Sequence, residues 1–170
     1  MSRRTMRVTT AVAALAVATA LSGCGTSPGT AASYQGEKVT TEQVQDAVTD
    51  ITKEAPSSNF DGTSAAVFMV LGPQMEQIAK KYGVYSSIDA AKAAFKTVKD
   101  PSQSAIRTVQ GSMHFSNLRE SQQGGPALQK LFKDADVKLN PRYGTWKKGE
   151  GPVSQTGNWI KQVAPQEQAR

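Results

Sequence analysis

Ala65-Ala66-Val67-Phe68-Met69-Val70-Leu71-Gly72-Pro73-Gln74-Met75-Glu76-Gln77-Ile78-Ala79-Lys80-Lys81-Tyr82 is the stretch on which the fold turns. Val67, Leu71, Met75, Ile78 and Tyr82 keep one helical phase through Gly72-Pro73, although a proline inside a helix costs about 3 kcal/mol. The unbroken phase predicts one long kinked helix rather than two short ones. Asp61, Thr63 and Ser64 offer N-caps, and Gly83 stands in the position that closes a helix. Phe68, Met69, Val70 and Leu71 are consecutive, so this helix is apolar nearly all round and needs neighbours on more than one side.

Working outward, the flanking segments are helical too. Thr40 and Thr41 precede Glu42 to Glu54, and Gln43 follows Thr40 at capping-box spacing. Val44, Ala47, Val48 and Ile51 share a face before Pro56 ends the run. Ser86 or Ser87 caps a short helix through Lys96 with Ile88, Ala91 and Phe95 inward. Asp100-Pro101 reads as a cap followed by proline at the first helical position. It opens a helix to about Leu118 with Ala105, Val109 and Met113 on one face. After Gly124-Gly125-Pro126, Leu128, Leu131, Phe132 and Ala135 again repeat at helical spacing. The expected fold is mainly α, a bundle of about five helices. Two short segments are expected to pair with each other and tie the ends of the body together. One is the turn with extended arms at Tyr34 to Val39, and the other is Val137 to Asn140. In that pairing Val137 and Leu139 face the helices and Lys138 faces water.

The chain opens with Arg3, Arg4 and Arg7, then an apolar run from Val8 to Leu21 that is shorter than the about 20 residues a bilayer span needs. Leu21-Ser22-Gly23-Cys24 follows, and Cys24 is the single cysteine among 170 residues. This resembles the lipobox of bacterial lipoproteins, in which the thiol takes a diacylglyceryl group and the chain is cut before the cysteine. The expected organisation is a signal peptide at 1–23, a flexible tether at 24–33, a helical body at 34–146 and a polar tail at 147–170. The alternative is an ordinary secretory signal in which Cys24 is incidental. Ser2-Arg3-Arg4 also resembles the start of a twin-arginine export signal, from which Met6 and Arg7 depart. Cutting before Cys24 removes three arginines and no acid, so the formal net charge falls from +6 to +3. With no basic stripe interleaved with aromatics, no nucleic-acid partner is expected. The tail is polar and glycine-containing, its apolar residues including Trp159, Ile160 and Val163. Removing Gly149 to Arg170 is therefore expected to leave the melting midpoint unchanged.

Gly36, Glu37, Val39 and Thr40 at the start of the body, with Asn140, Pro141, Arg142, Tyr143, Gly144 and Trp146 at its end, carry a family likeness. The chain resembles the N-terminal domain of the SurA and PrsA type of extracytoplasmic chaperones, in the short lipoprotein form found in actinobacteria. That resemblance implies a membrane-anchored, non-enzymatic module that binds exported, incompletely folded proteins. The alternative is a structural or adaptor lipoprotein with one envelope partner. The family turn is usually Asn-Gly, whereas Gln35 stands here. The chain also passes from Ala135 directly to Val137, where larger relatives insert a prolyl isomerase domain, so isomerase activity is not carried over.

Chemistry-bearing groups are few. His114, the sole histidine, reads as a satisfied helix residue, and Asp46 and Asp50 as a solvated face. No catalytic residue, no metal site and no cofactor is expected beyond the covalent diacylglycerol on Cys24. The possible client-binding residues are Phe68, Met69, Leu71 and Met75, because flexible thioethers suit promiscuous apolar binding. Packing in the core is the competing reading of the same four. Tyr143 and Trp146 are expected to dock the closing strand, with Arg142 at the surface.

Overall fold

The computed structural model describes residues 29–153. The signal, the lipobox and Cys24 lie outside the described residues, as do Trp159, Ile160 and Val163. The element order is β1 (Thr30–Tyr34), β2 (Glu37–Thr40), α1 (Thr41–Glu54), α2 (Gly62–Lys81), α3 (Ile88–Ala93), α4 (Gln103–Glu120), α5 (Gly124–Asp134), β3 (Lys138–Leu139), a 3-10 turn (Pro141–Tyr143), β4 (Thr145–Lys147) and β5 (Gly151–Val153). The body is mainly helical, with short antiparallel strands at its ends.

Helix starts follow local chemistry. Thr40 Oγ1 accepts from Gln43 N while Gln43 Oε1 accepts from Thr40 N, the reciprocal box expected at α1. Asp61 caps α2 through Ser64 N, and Ser87 caps α3 through Ala90 N. Pro73 sits within α2, which runs on as one helix, and Gly83 follows with φ +70°.

Two starts and stops differ from expectation because distant carboxylates take the backbone donors. Glu54, at the end of α1, accepts from the N–H groups of Lys96, Thr97 and Val98 at 2.9, 2.8 and 3.0 Å. The chain there is held as a loop, so α3 stops at Ala93 and not Lys96. Ile88, expected inward, is 46% exposed. Asp50 accepts from Ser102 N at 2.8 Å, and Ser102 rather than Asp100 caps α4. Asp50 is therefore an anchor between helices, while Asp46 is exposed.

Tyr34 and Glu37 flank a tight turn in which Gln35 has φ +47° and Gly36 φ +89°, the primed-turn backbone that asparagine or glycine adopts with least strain. The three-stranded sheet has the order β2-β1-β3. β3 pairs antiparallel with β1, Ala32 opposite Leu139 and Ser33 opposite Lys138, so the closing strand lies against residues upstream of the expected Tyr34 to Val39. The expected tether at 24–33 is corrected accordingly, since Thr30 to Ser33 are strand, with Ala31 and Ala32 fully buried. Both neighbours face inward because the register shifts between Thr30 and Ala32, a bulge. Val137 is buried, Leu139 partly buried and Lys138 exposed, as alternation requires.

The tail boundary at 147 is corrected as well. β4 and β5 form a hairpin with Trp146 opposite Pro152. Gly151 is buried, and a Cβ built on it would lie 3.6 Å from the Phe132 ring. Residues 149–153 thus belong to the packed body, contrary to the expectation that everything from Gly149 is dispensable.

The core lies where α2 packs along α4, with α1, α5 and the sheet around it. Gly111 sets the α2–α4 seam, since a Cβ there would meet the Phe68 carbonyl oxygen at 2.6 Å. Tyr143 locks the 3-10 turn onto α2. Its ring lies 2.8 Å from where a Gly62 Cβ would be, and its carbonyl accepts from Thr63 Oγ1 at 2.7 Å.

Candidate binding surface

Of the four candidate client-binding residues, Met69, Leu71 and Met75 are at most 2% exposed and belong to the core. The long helix hides three of the four because α4, α1 and the sheet cover it from several directions. Phe68 alone remains partly exposed, and it has aromatic company.

Phe60 lies on the connection before α2, Phe68 on α2, Phe115 on α4, Phe132 on α5 and Trp146 on β4. Their ring centroids follow one another at 6.5, 5.7, 5.8 and 5.7 Å. Each is partly buried and packs against the edge of the core. Phe68, Phe115 and Phe132 meet edge to face, the arrangement that ring quadrupoles favour. Trp146 is fixed by its indole N–H, which donates to the Ala135 carbonyl at 2.8 Å. Phe60 is two residues from Gly62, which Tyr143 covers, and Tyr143 is two residues from Thr145, the neighbour of Trp146. Of these five rings only Phe68 was an expected client-binding residue, Phe132 being expected on a helix face and Trp146 as an anchor of the closing strand. A faint signal existed, one aromatic on each of five separate segments, but nothing in periodicity brings such residues together.

A second apolar depression, of about 200 Å³, lies between α1, the end of α3 and α4, lined by Ile51, Ala55, Ala94, Phe95 and Val109 with Glu54 at its margin. The backbone donors around Glu54 hold its carboxyl below the usual carboxylate range.

His114 is buried on α4 and stacks on Tyr85 at 5.3 Å. Its Nε2 lies 3.0 Å from the Ser86 carbonyl, which also accepts from Gln110, while Asn117 donates to the Val84 carbonyl. Burial pushes the imidazole below its ordinary value, and the Ser86 bond opposes that only in part. The neutral ring therefore donates from Nε2 and pins the α2–α3 loop. A small cavity of about 60 Å³ beside it is bounded by Phe68, Pro73, Glu76, Arg107 and His114. Among the described residues there is no cluster of three or more metal-ligating side chains, and no helix is long and apolar enough to cross a membrane.

Comparison of the chain with family models, with curated proteins and with solved structures finds no match.

Proposed function

We propose that the chain is a lipid-anchored, extracytoplasmic module that binds apolar stretches of exported, incompletely folded proteins without catalysing a reaction. The observation that carries this reading is the arc of five partly exposed rings, Phe60, Phe68, Phe115, Phe132 and Trp146. Aromatic surface of this kind takes apolar side chains of many shapes, because every ring offers both a face and an edge. Contiguous apolar patches on a protein surface mark interaction sites. The lipobox Leu21 to Cys24 supports the compartment, and the resemblance of Gly36 to Thr40 and Asn140 to Trp146 to the SurA and PrsA type supports the class of client.

Light scattering by a thermally unfolding client, with and without residues 25–170, tests the reading. Suppression across unrelated clients at low molar excess is expected. Phe115→Ala with Phe132→Ala should weaken it while far-UV circular dichroism stays that of the parent. No suppression of any client, together with capture of one folded envelope protein, would replace the chaperone reading with that of an adaptor.

A further inference from the structure

We infer that the face formed by the α2–α3 connection and α3, with Tyr85 and Ile88 at its centre, docks on an anionic lipid surface. This rests on the lipid-anchored part of the proposed function and adds to it a second, reversible contact with the membrane.

The apolar part of the face is the first argument. Among the described residues, Ile88 and Tyr85 are the large apolar side chains that stand exposed, at 46% and 42%. They are three residues apart, and Tyr85 is held from behind, its ring stacked on buried His114 at 5.3 Å. α3 gives only Ala91 to the core, and its other residues are exposed. Core packing therefore does not account for an isoleucine at position 88. An aliphatic side chain beside an amphipathic tyrosine suits the boundary between headgroups and acyl chains.

Charge is the second argument. Residues 80–100 hold five lysines and two acids, Asp89 and Asp100, whereas the rest of 29–153 holds ten basic and eleven acidic residues. Glu76 offsets Lys80 at 2.6 Å, and Glu54 lies under the backbone of Lys96 to Val98. Glu120 of α4 flanks Tyr85 and bounds the basic face on that side. Lys81, Lys92 and Lys99 are exposed and pair with no acid among the described residues. Lys92 stands one turn beyond Ile88 on the same face of α3. Lysines around an apolar centre complement anionic headgroups, whose field attracts basic side chains within a Debye length of the surface.

Size decides between a membrane and a folded partner. A stable protein interface takes about 800 Å² from each partner, far more than two large side chains and a six-residue helix present. A membrane needs no such area, because a lipid anchor holds the body beside it and even a weak contact is then occupied. Docking through α3 fixes one orientation of the body, where a lipid alone fixes only a point.

The test reads lipid contact on the unlipidated chain, residues 25–170. In co-sedimentation it is expected to bind vesicles of phosphatidylcholine with phosphatidylglycerol several-fold better than vesicles of phosphatidylcholine alone, and the difference should vanish in high salt. Ile88→Ser should weaken binding several-fold with its salt dependence kept. Lys92→Glu with Lys99→Glu should lower binding to the level of neutral vesicles, whereas Lys133→Glu with Lys138→Glu should leave most of it. If the paired variants fail to fold, isoleucine methyl resonances of the unsubstituted chain on nanodiscs carrying a gadolinium lipid read the same contact. Ile88 should then broaden several-fold more than buried Ile51 and Ile106. No preference for anionic vesicles overturns the inference. Equal losses from the two charge-reversed pairs also overturn it, since net charge and not this face is then responsible. So does an acidic soluble protein whose binding depends on Ile88 while vesicles are not bound. Client protection without vesicle binding sinks the docking alone, whereas vesicle binding by a chain whose Cys24 carries no lipid in cells sinks the anchored reading alone.

Discussion

Gly111→Ala is the sharpest test of how the body is packed. In an exposed helix interior this change stabilises by about 1 kcal/mol. Here the added Cβ would stand 2.6 Å from the Phe68 carbonyl oxygen and 3.2 Å from both the Phe68 carbonyl carbon and Cβ. Two of these three are main-chain atoms of a helix and cannot rotate away, so α2 and α4 must separate by about 0.8 Å to reach ordinary contact. A gap of that size forfeits about a quarter to a half of each dispersion well along the seam. The side chains that lose contact include Met69, Leu71 and Met75, which are fully or almost fully buried. Overpacking of this kind costs about 1–3 kcal/mol, and the propensity gain offsets only part of it. A net loss of about 1–2 kcal/mol is expected, which lowers the melting midpoint by about 3–8 °C for a domain of this size. Thermal denaturation followed by circular dichroism measures it. Gly72→Ala is the control, because a Cβ there meets nothing within 4 Å. Its gain in propensity is partly cancelled by the proline that follows, so its stability should stay within about 1 kcal/mol of the parent. A Gly111→Ala chain that melts at or above the parent would show that the helices do not meet at this residue.

Three further outcomes follow from particular contacts. The Tyr143 hydroxyl is buried and has no hydrogen-bond partner among the described residues, so Tyr143→Phe should stabilise by about 1 kcal/mol in urea denaturation; a comparable loss would mean that the hydroxyl is bonded. Ending the chain after Val153 should leave the midpoint nearly unchanged, whereas ending it after Lys148 removes Gly151 from the Phe132 ring and should cost about 1–2 kcal/mol; equal midpoints would return the hairpin to the tail. The folded-state value of His114 lies below its ordinary 6.5, so the unfolded chain binds the extra proton and stability falls as pH drops from 6.5 through the folded value. Glu54, also lowered, adds a second loss below 4.5, and His114→Gln should flatten the upper limb of the profile alone.

The helices were legible because their signals are local. Thr40 with Gln43, Asp61 with Ser64 and Ser87 with Ala90 are caps closed over three residues. Where a partner comes from far along the chain, local reading fails. Asp100-Pro101 looks like a helix start, yet Asp50 takes the Ser102 N–H and moves the start by two residues. Thr30-Ala31-Ala32-Ser33 has the composition of a linker, but small side chains are what a bulged central strand under two helices can accommodate. The aromatic arc was the least legible part. Its five rings come from five segments, and only the tertiary fold sets Phe68 beside Phe115 and Phe132 beside Trp146.

The sheet order also fixes a sequence of events. β1 is the central strand and the first described element to leave the ribosome, while its partner β3 comes more than a hundred residues later. From the moment the β1–β2 hairpin forms until Leu139 arrives, β1 carries an open edge along Ala31 to Ser33, the kind of edge that recruits foreign strands. In the finished fold Asn140 closes it doubly, its N–H to the Ala31 carbonyl at 2.8 Å and its side-chain amide to the Thr30 carbonyl at 3.0 Å. A pairing this distant makes closure slow relative to helix formation, because the loop must be ordered before the contact rewards it. The maturing chain is thus a set of formed helices waiting on a late strand. During that interval the open edge and the still unpacked rings are both within reach of other chains.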